Sequence, residues 1–198
     1  MEWHLSNYIS IFWWMLGLSA VFAVVIAFGV YNRIQALRQR RKAAFADVDV
    51  QLKLRYDLVP NLVATVKGYA DHEKGLLENV TAARTAAMRG GGIADRVKAE
   101  QALGAAMTNL MAVAENYPQL KADANFRQLQ ADLSDIENKI AAARRFFNNA
   151  TSEYNTTITQ IPGVVVAHFL HLTEEVFFEL DPAEQQAAKT PPKVSFGT

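Results

Sequence analysis

Apolar residues fall along this chain in two different patterns. From Ile9 to Tyr31 they run almost unbroken, and no charged side chain lies between His4 and Arg33. An apolar run of about 20 residues is long enough to cross a bilayer as a helix. Trp3, Trp13, Trp14 and Tyr31 stand at or near its ends, where amphipathic rings favour the membrane interface. A cleaved signal peptide fits poorly. The leader Met1-Glu-Trp-His4 has no Lys or Arg, and Ala27-Phe-Gly-Val-Tyr31 is a poor A-x-A site.

Beyond Tyr31 the apolar positions recur at helical spacing. Phe45, Val48, Leu52, Val59, Leu62, Val66 and Tyr69 step by threes and fours, with Arg55 in one slot of the series. One long helical stretch over 31–89 is predicted. Pro60 lies inside it, removing a backbone donor and crowding the preceding turn, so a kink or short break is expected at Asp57–Pro60. Gly90-Gly-Gly92 ends the stretch. A second helix is expected from Ala94 to Asn116, closed by Tyr117-Pro118. A third begins near Asn125, where Asn125 and Gln128 have capping-box spacing. It carries an unbroken series from Phe126, Leu129 and Leu133 through Ile136, Ile140, Ala143, Phe147 and Ala150 to Tyr154, ending near Gln160. Ile161-Pro-Gly163 breaks it, and a fourth, mostly apolar element follows over Val164–Leu180. No strand alternation is visible. The expected fold is all-α, a single amino-terminal transmembrane helix followed by an antiparallel bundle of long helices with a shorter C-terminal one. Its segments are 1–8 (short leader), 9–31 (transmembrane helix), 32–180 (bundle) and 181–198 (flexible tail).

Composition narrows the function classes. Lys plus Arg and Asp plus Glu number 20 each in 198 residues, so no net charge argues for a nucleic-acid partner. The absence of cysteine excludes disulfides, thiolate metal sites and a Cys nucleophile. Local charge matters more. Arg33, Arg38, Arg40, Arg41 and Lys42 follow the apolar run, within the range where basic residues hold a flank in the cytoplasm.

Several residues are candidates for chemistry. Arg55 in a seam needs a partner, because a buried unpaired guanidinium is very costly; Asp57, Glu115, Asn125 and Glu137 are the options. It reads either as a structural ion pair fixing helix register or as a ligand clamp beside Pro60. Asp71, His72 and Glu73 are consecutive and so diverge around a helical turn. His168, His171 and Glu175 lie at i, i+3 and i+7 along one helical stripe, and two imidazoles three apart can bind a transition metal, with a third ligand needed from elsewhere. Their apolar setting equally suits a bilayer surface or a neighbouring subunit. Asn148 and Asn155, seven apart, read as interhelical or solvent-bonded. Gly90–Gly92 lacks the Lys and Ser/Thr of a phosphate loop. No residue is assigned a catalytic, cofactor-binding or metal-binding role.

Taken together, Tyr31-Asn-Arg-Ile34, Asp49-Val-Gln-Leu-Lys-Leu-Arg-Tyr-Asp-Leu-Val-Pro-Asn-Leu-Val63, Val66-Lys-Gly-Tyr-Ala-Asp-His-Glu73 and Ala114-Glu-Asn-Tyr-Pro-Gln-Leu-Lys121 resemble the LemA family. So do Asn125-Phe-Arg-Gln-Leu-Gln130, Ile136-Glu-Asn-Lys-Ile140, Ala143-Arg-Arg-Phe-Phe-Asn148 and Glu153-Tyr-Asn155. The resemblance covers about residues 25–180. It implies a bacterial membrane protein with one amino-terminal anchor and a long-helix bundle, relatives among magnetosome-membrane proteins, and no agreed enzymatic activity.

The expected function is therefore a non-enzymatic, membrane-anchored scaffold without cofactors. It sits in the bacterial inner membrane with the amino terminus outside and the bundle cytoplasmic. Its expected partners are the lipid bilayer, other copies of itself and unidentified proteins. Self-association is expected because the second helix is too short to cover the first, leaving the seam from Tyr31 to Val48 without an intrachain partner. A sensor binding a small ligand near Arg55 and Pro60 is the alternative, and a metal enzyme built on His168, His171 and Glu175 a third reading.

Overall fold

The computed structural model describes residues 2–178, with side chains from residue 11 onward. The tail expected at 181–198 and the last two residues of the expected fourth element lie outside the described residues. Among those described there are helices and no strands: α1 (Glu2–Lys67), α2 (Lys74–Met88), α3 (Ile93–Ala114), α4 (Pro118–Ala122), α5 (Ala124–Thr159) and α6 (Gly163–Phe169). The fold is all-α.

The stretch expected as one helix over 31–89 is two. α1 does not break at Pro60; it continues to Lys67, and the chain turns through Gly68–Glu73 into α2. The reason is local. Proline cannot donate the bond that would close on the carbonyl four residues back, so the Tyr56 carbonyl is left without its helical donor. Arg84 of α2 supplies one, its Nε donating to Tyr56 O at 2.7 Å. Tyr69, expected in the seam, lies beyond the helix end and is 41% exposed. The glycine turn behaves as expected: Gly90 (φ 70°) and Gly91 (φ 135°) adopt left-handed geometry between α2 and α3.

The α5 cap also differs from expectation. Asp123 Oδ1, not Asn125, accepts the Phe126 amide at 2.9 Å, while the Gln128 side chain donates to Asp132 at 2.8 Å. Asp123 Oδ2 also accepts the Tyr69 hydroxyl at 2.9 Å. The Phe126 amide and the Tyr69 hydroxyl hold the Asp123 carboxyl below its ordinary 3.8. The expected fourth helix stops at Phe169, and residues 172–178 continue in non-helical conformation.

The chain divides into two compact units, and α1 and α5 contribute to both. One comprises the described residues up to Ala44 together with Asn149–Glu175. Its core is Ile34, Tyr154, Ile158 and Ala167, flanked by Val30, Leu37, Val166 and Leu172. The seam from Tyr31 to Val48 therefore does have intrachain partners, contrary to expectation: Ile34, Ala44 and Val48 are fully buried. The expectation compared α1 only with the second helix and overlooked that α5, at 36 residues, is long enough to serve both units. Arg40 pairs with Glu153 (2.7 Å) and Arg41 with Glu175 (3.0 Å), and Arg41 Nε donates to Thr151 at 3.1 Å.

The other unit comprises Phe45–Asn148 and the described residues from Val176. Its α1 segment buries Val48, Leu52, Val59, Leu62 and Val66, the seam positions read from the sequence. In the same unit Leu103, Met107 and Leu110 of α3, Leu120 of α4, and Phe126, Ile136, Ile140 and Phe147 of α5 are also buried. α2 and α3 pack as a hairpin.

Candidate functional site

Arg55 is the residue around which this second unit organises its charge. The residue is 2% exposed. Its Nη2 forms an ion pair with Glu100 of α3, which is equally buried, and its Nη1 donates to Glu137 Oε1 of α5 at 2.9 Å. Tyr56 completes the cluster by donating its hydroxyl to the other Glu100 oxygen. Burial pushes the Tyr56 hydroxyl above its ordinary 10.0, against the pull of the neighbouring Arg55 and Arg96 guanidinium groups. It therefore stays protonated and keeps donating. Arg55 Nε is left with no hydrogen-bond partner.

Of the four partners considered for Arg55, the structure selects Glu137. Glu100 was missed, and a signal for it existed. It falls three residues after Val97 and three before Leu103 on the buried side of α3, an acidic residue in an apolar slot that mirrors the basic residue in α1. Arg84 was missed too, although a proline inside a helix is itself the sign of an orphan carbonyl needing a donor.

A cleft of ≈ 530 Å³ opens over this network, lined by Arg55, Glu100, Glu137, Arg144, Met107 and Phe178 among others. Glu137 stands at its wetter side, with 43% of its side chain exposed. Arg144 lies over the Phe178 ring, 4.7 Å from its centroid. The basic groups Arg55 and Arg144 face two carboxylates, so the lining is charge-compensated and favours neither an anion nor a cation. Arg96 has a comparable place on α3: it pairs with Asp49 of α1 and lies 5.2 Å from the Phe45 ring centroid.

The remaining candidates do not converge. Asp71, His72 and Glu73 lie in the turn between α1 and α2, not on a helix as expected. His168, His171 and Glu175 form no stripe, because α6 ends at Phe169 and His171 takes a positive φ of 51°. Glu175 is instead engaged by Arg41. Among the described residues no group of three or more His, Asp or Glu is placed to hold a metal.

Asn148 and Asn155 have a definite task, which is neither interhelical nor solvent bonding. Asn148 Nδ2 donates to Phe178 O (2.9 Å) while its Oδ1 accepts the Phe178 amide (2.8 Å). Asn155 does the same with Glu175, at 2.9 and 2.8 Å. Seven helical residues rise about 10 Å, and three extended residues advance by about the same distance. Asparagines seven apart on a helix thus suit carbonyl–amide pairs three apart on an extended segment.

The last feature is the apolar span itself. Within α1, a window long and apolar enough to cross a membrane has none of its residues buried by the rest of the chain. Phe12, Trp13, Trp14, Leu18 and Phe22 are all more than half exposed. In water such a surface is strongly unfavourable. Fold and span together define a membrane-associated, all-α protein.

It belongs to the LemA family, whose match covers residues 44–196. Among curated proteins it is similar to the proteins named magnetosome protein MamQ 1 and MamQ 2 of Paramagnetospirillum magneticum. Each is 24% identical over 187 residues, covering 81% of this chain and 69% of the relative. The magnetosome protein MamQ of Magnetospirillum gryphiswaldense is 23% identical over the same extent.

Proposed function

We propose that this protein is a non-enzymatic scaffold anchored in a bacterial inner membrane by the first part of α1, with its helical units in the cytoplasm. The observation that carries the proposal is the pairing, in one helix, of a wholly uncovered apolar span with the buried seams of both units. The polar groups inside those units are spent on holding elements together: Arg55 joins three helices, and Asn148 and Asn155 tie down the segment after α6. The magnetosome names of the relatives, carried over to this chain, favour service at a membrane.

Orientation rests on the basic flank from Arg33 to Lys42. Arg40 and Arg41 also serve as internal ion-pair partners, so Arg33 and Arg38, both exposed, carry the topological signal most directly. Protease added outside intact cells should leave the segment after Phe178 uncut; cleavage there reverses the assignment.

A scaffold presents repeated surfaces, and self-association is its simplest form. With the Tyr31–Val48 seam already covered, the contacts between copies are assigned to the membrane span and to exposed apolar residues such as Val50 and Leu54. Full-length protein in detergent, measured by light scattering after size exclusion at micromolar concentration, should give a protein mass above one chain's 22.0 kDa. A monomer rejects self-association.

The second reading is a sensor that takes a small ligand in the cleft beside Arg55, favoured by the ≈ 530 Å³ of space and the unsatisfied Nε there. Charge compensation by Glu100 and Glu137 weighs against it, since an anionic ligand must displace a carboxylate already bound.

A further inference from the structure

α6 and the turn before it expose a compact set of large apolar residues. Ile161 is 86% exposed, Val165 53% and Phe169 77%, and Val164 and Leu170 are exposed to a lesser degree. From Ile161 to Leu172 there is no Asp, Glu, Lys or Arg. The opposite face is held firmly. Gly163 and Ala167 are buried, and a Cβ at position 163 would overlap the Thr157 carbonyl oxygen. Only glycine allows α6 to lie this close to the end of α5.

The register of the helices fixes where this surface stands. Arg40 meets Glu153, and Ile34 shares a core with Ile158 and Ala167, so stepping back along α1 means stepping forward along α5 and into α6. Val30, next to the last residue of the apolar run, packs on that same core together with Val166. α6 therefore sits beside α1 at the point where the uncovered span ends. Arg33 and Arg38, exposed on α1 just beyond it, add positive charge at this level.

We propose that Ile161–Leu170 is a second membrane contact, which sinks its apolar face into the headgroup and upper acyl region of the bilayer beside the α1 anchor. Arg33 and Arg38 meet anionic phospholipid headgroups there. Apolar faces of interfacial segments bury about 5–10 Å into this boundary, and basic side chains near an anionic leaflet reinforce such binding. Continuity with the lipid-facing surface of α1 favours the bilayer as occupant over a second copy of the chain. The proposal rests on α1 crossing the membrane.

The chain's lack of cysteine allows unique spin labels at Ile161→Cys, Phe169→Cys, Val25→Cys and Glu174→Cys in full-length protein reconstituted into vesicles of phosphatidylcholine and phosphatidylglycerol. Collision rates with oxygen, which concentrates in lipid, and with a water-soluble nickel chelate report each site's surroundings. Labels at 161, 169 and 25 should collide preferentially with oxygen, and the label at 174 with the chelate, the ratio changing several-fold between the two groups. Labels at 161 and 169 in water while 25 is in lipid overturn this proposal alone. A label at 25 in water overturns the anchor and this proposal with it. Protection at 161 and 169 accompanied by spin–spin broadening, lost on dilution with unlabelled protein, assigns the surface to a second copy and overturns the lipid assignment.

Discussion

Arg55 and Glu100 are each almost fully buried, and bringing such charges out of water offsets much of what their attraction returns. The pair is better understood through what its loss exposes. Arg55→Ala leaves Glu100 in the interior with only the Tyr56 hydroxyl, and should destabilise the protein by about 3–5 kcal/mol, seen as a lower thermal midpoint of the helical signal in detergent. Replacing both charges together, Arg55→Met with Glu100→Leu, should recover most of that loss. A single Arg55→Ala variant that melts like the parent would show that the network does not hold the helices. The asparagine clamps follow the same logic with neutral groups. Each side-chain amide satisfies one backbone donor and one acceptor of a non-helical segment, groups that a helix would have satisfied internally.

Among the elements, α1 is the most informative because its helix survives a proline. Arg84 supplies the missing donor, and its worth should depend on that proline. Arg84→Ala should cost about 1–3 kcal/mol where it strands the Tyr56 carbonyl. In a Pro60→Ala background that carbonyl regains a helical donor and the cost should fall toward zero. Equal costs in the two backgrounds, measured by thermal melts of the four proteins, would contradict the role given to Arg84. Much at this scale was legible in the sequence. The seam of α1 from Val48 to Val66 and the series of α5 from Phe126 to Tyr154 were read from three-four spacing, because burial on one face imposes that period. The break after Lys67 was not read, since Tyr69 continues the apolar period and masks the Gly68 turn. The early end of α6 was hidden in the same way, by an apolar run compatible with either helix or extended chain. At the site, a lone basic residue in a seam revealed Arg55, but which carboxylates answer it depends on helix register, and that is set by packing.

For the whole molecule, acidic and basic residues balance at 20 each, while among the described residues exposed large apolar side chains run through the span of α1 and recur at Ile161–Leu170. That distribution separates a membrane-associated protein from a water-soluble bundle. The buried polar residues Arg55, Glu100 and Asn155 are engaged in bonds between elements of the chain. The most direct measurement is extraction of the full-length protein, expressed in bacteria, from isolated membranes with alkaline carbonate. An anchor made by the apolar run of α1 keeps the protein in the pellet, to be released only by detergent. Folded protein recovered in the carbonate supernatant, or in the soluble fraction before extraction, would contradict it.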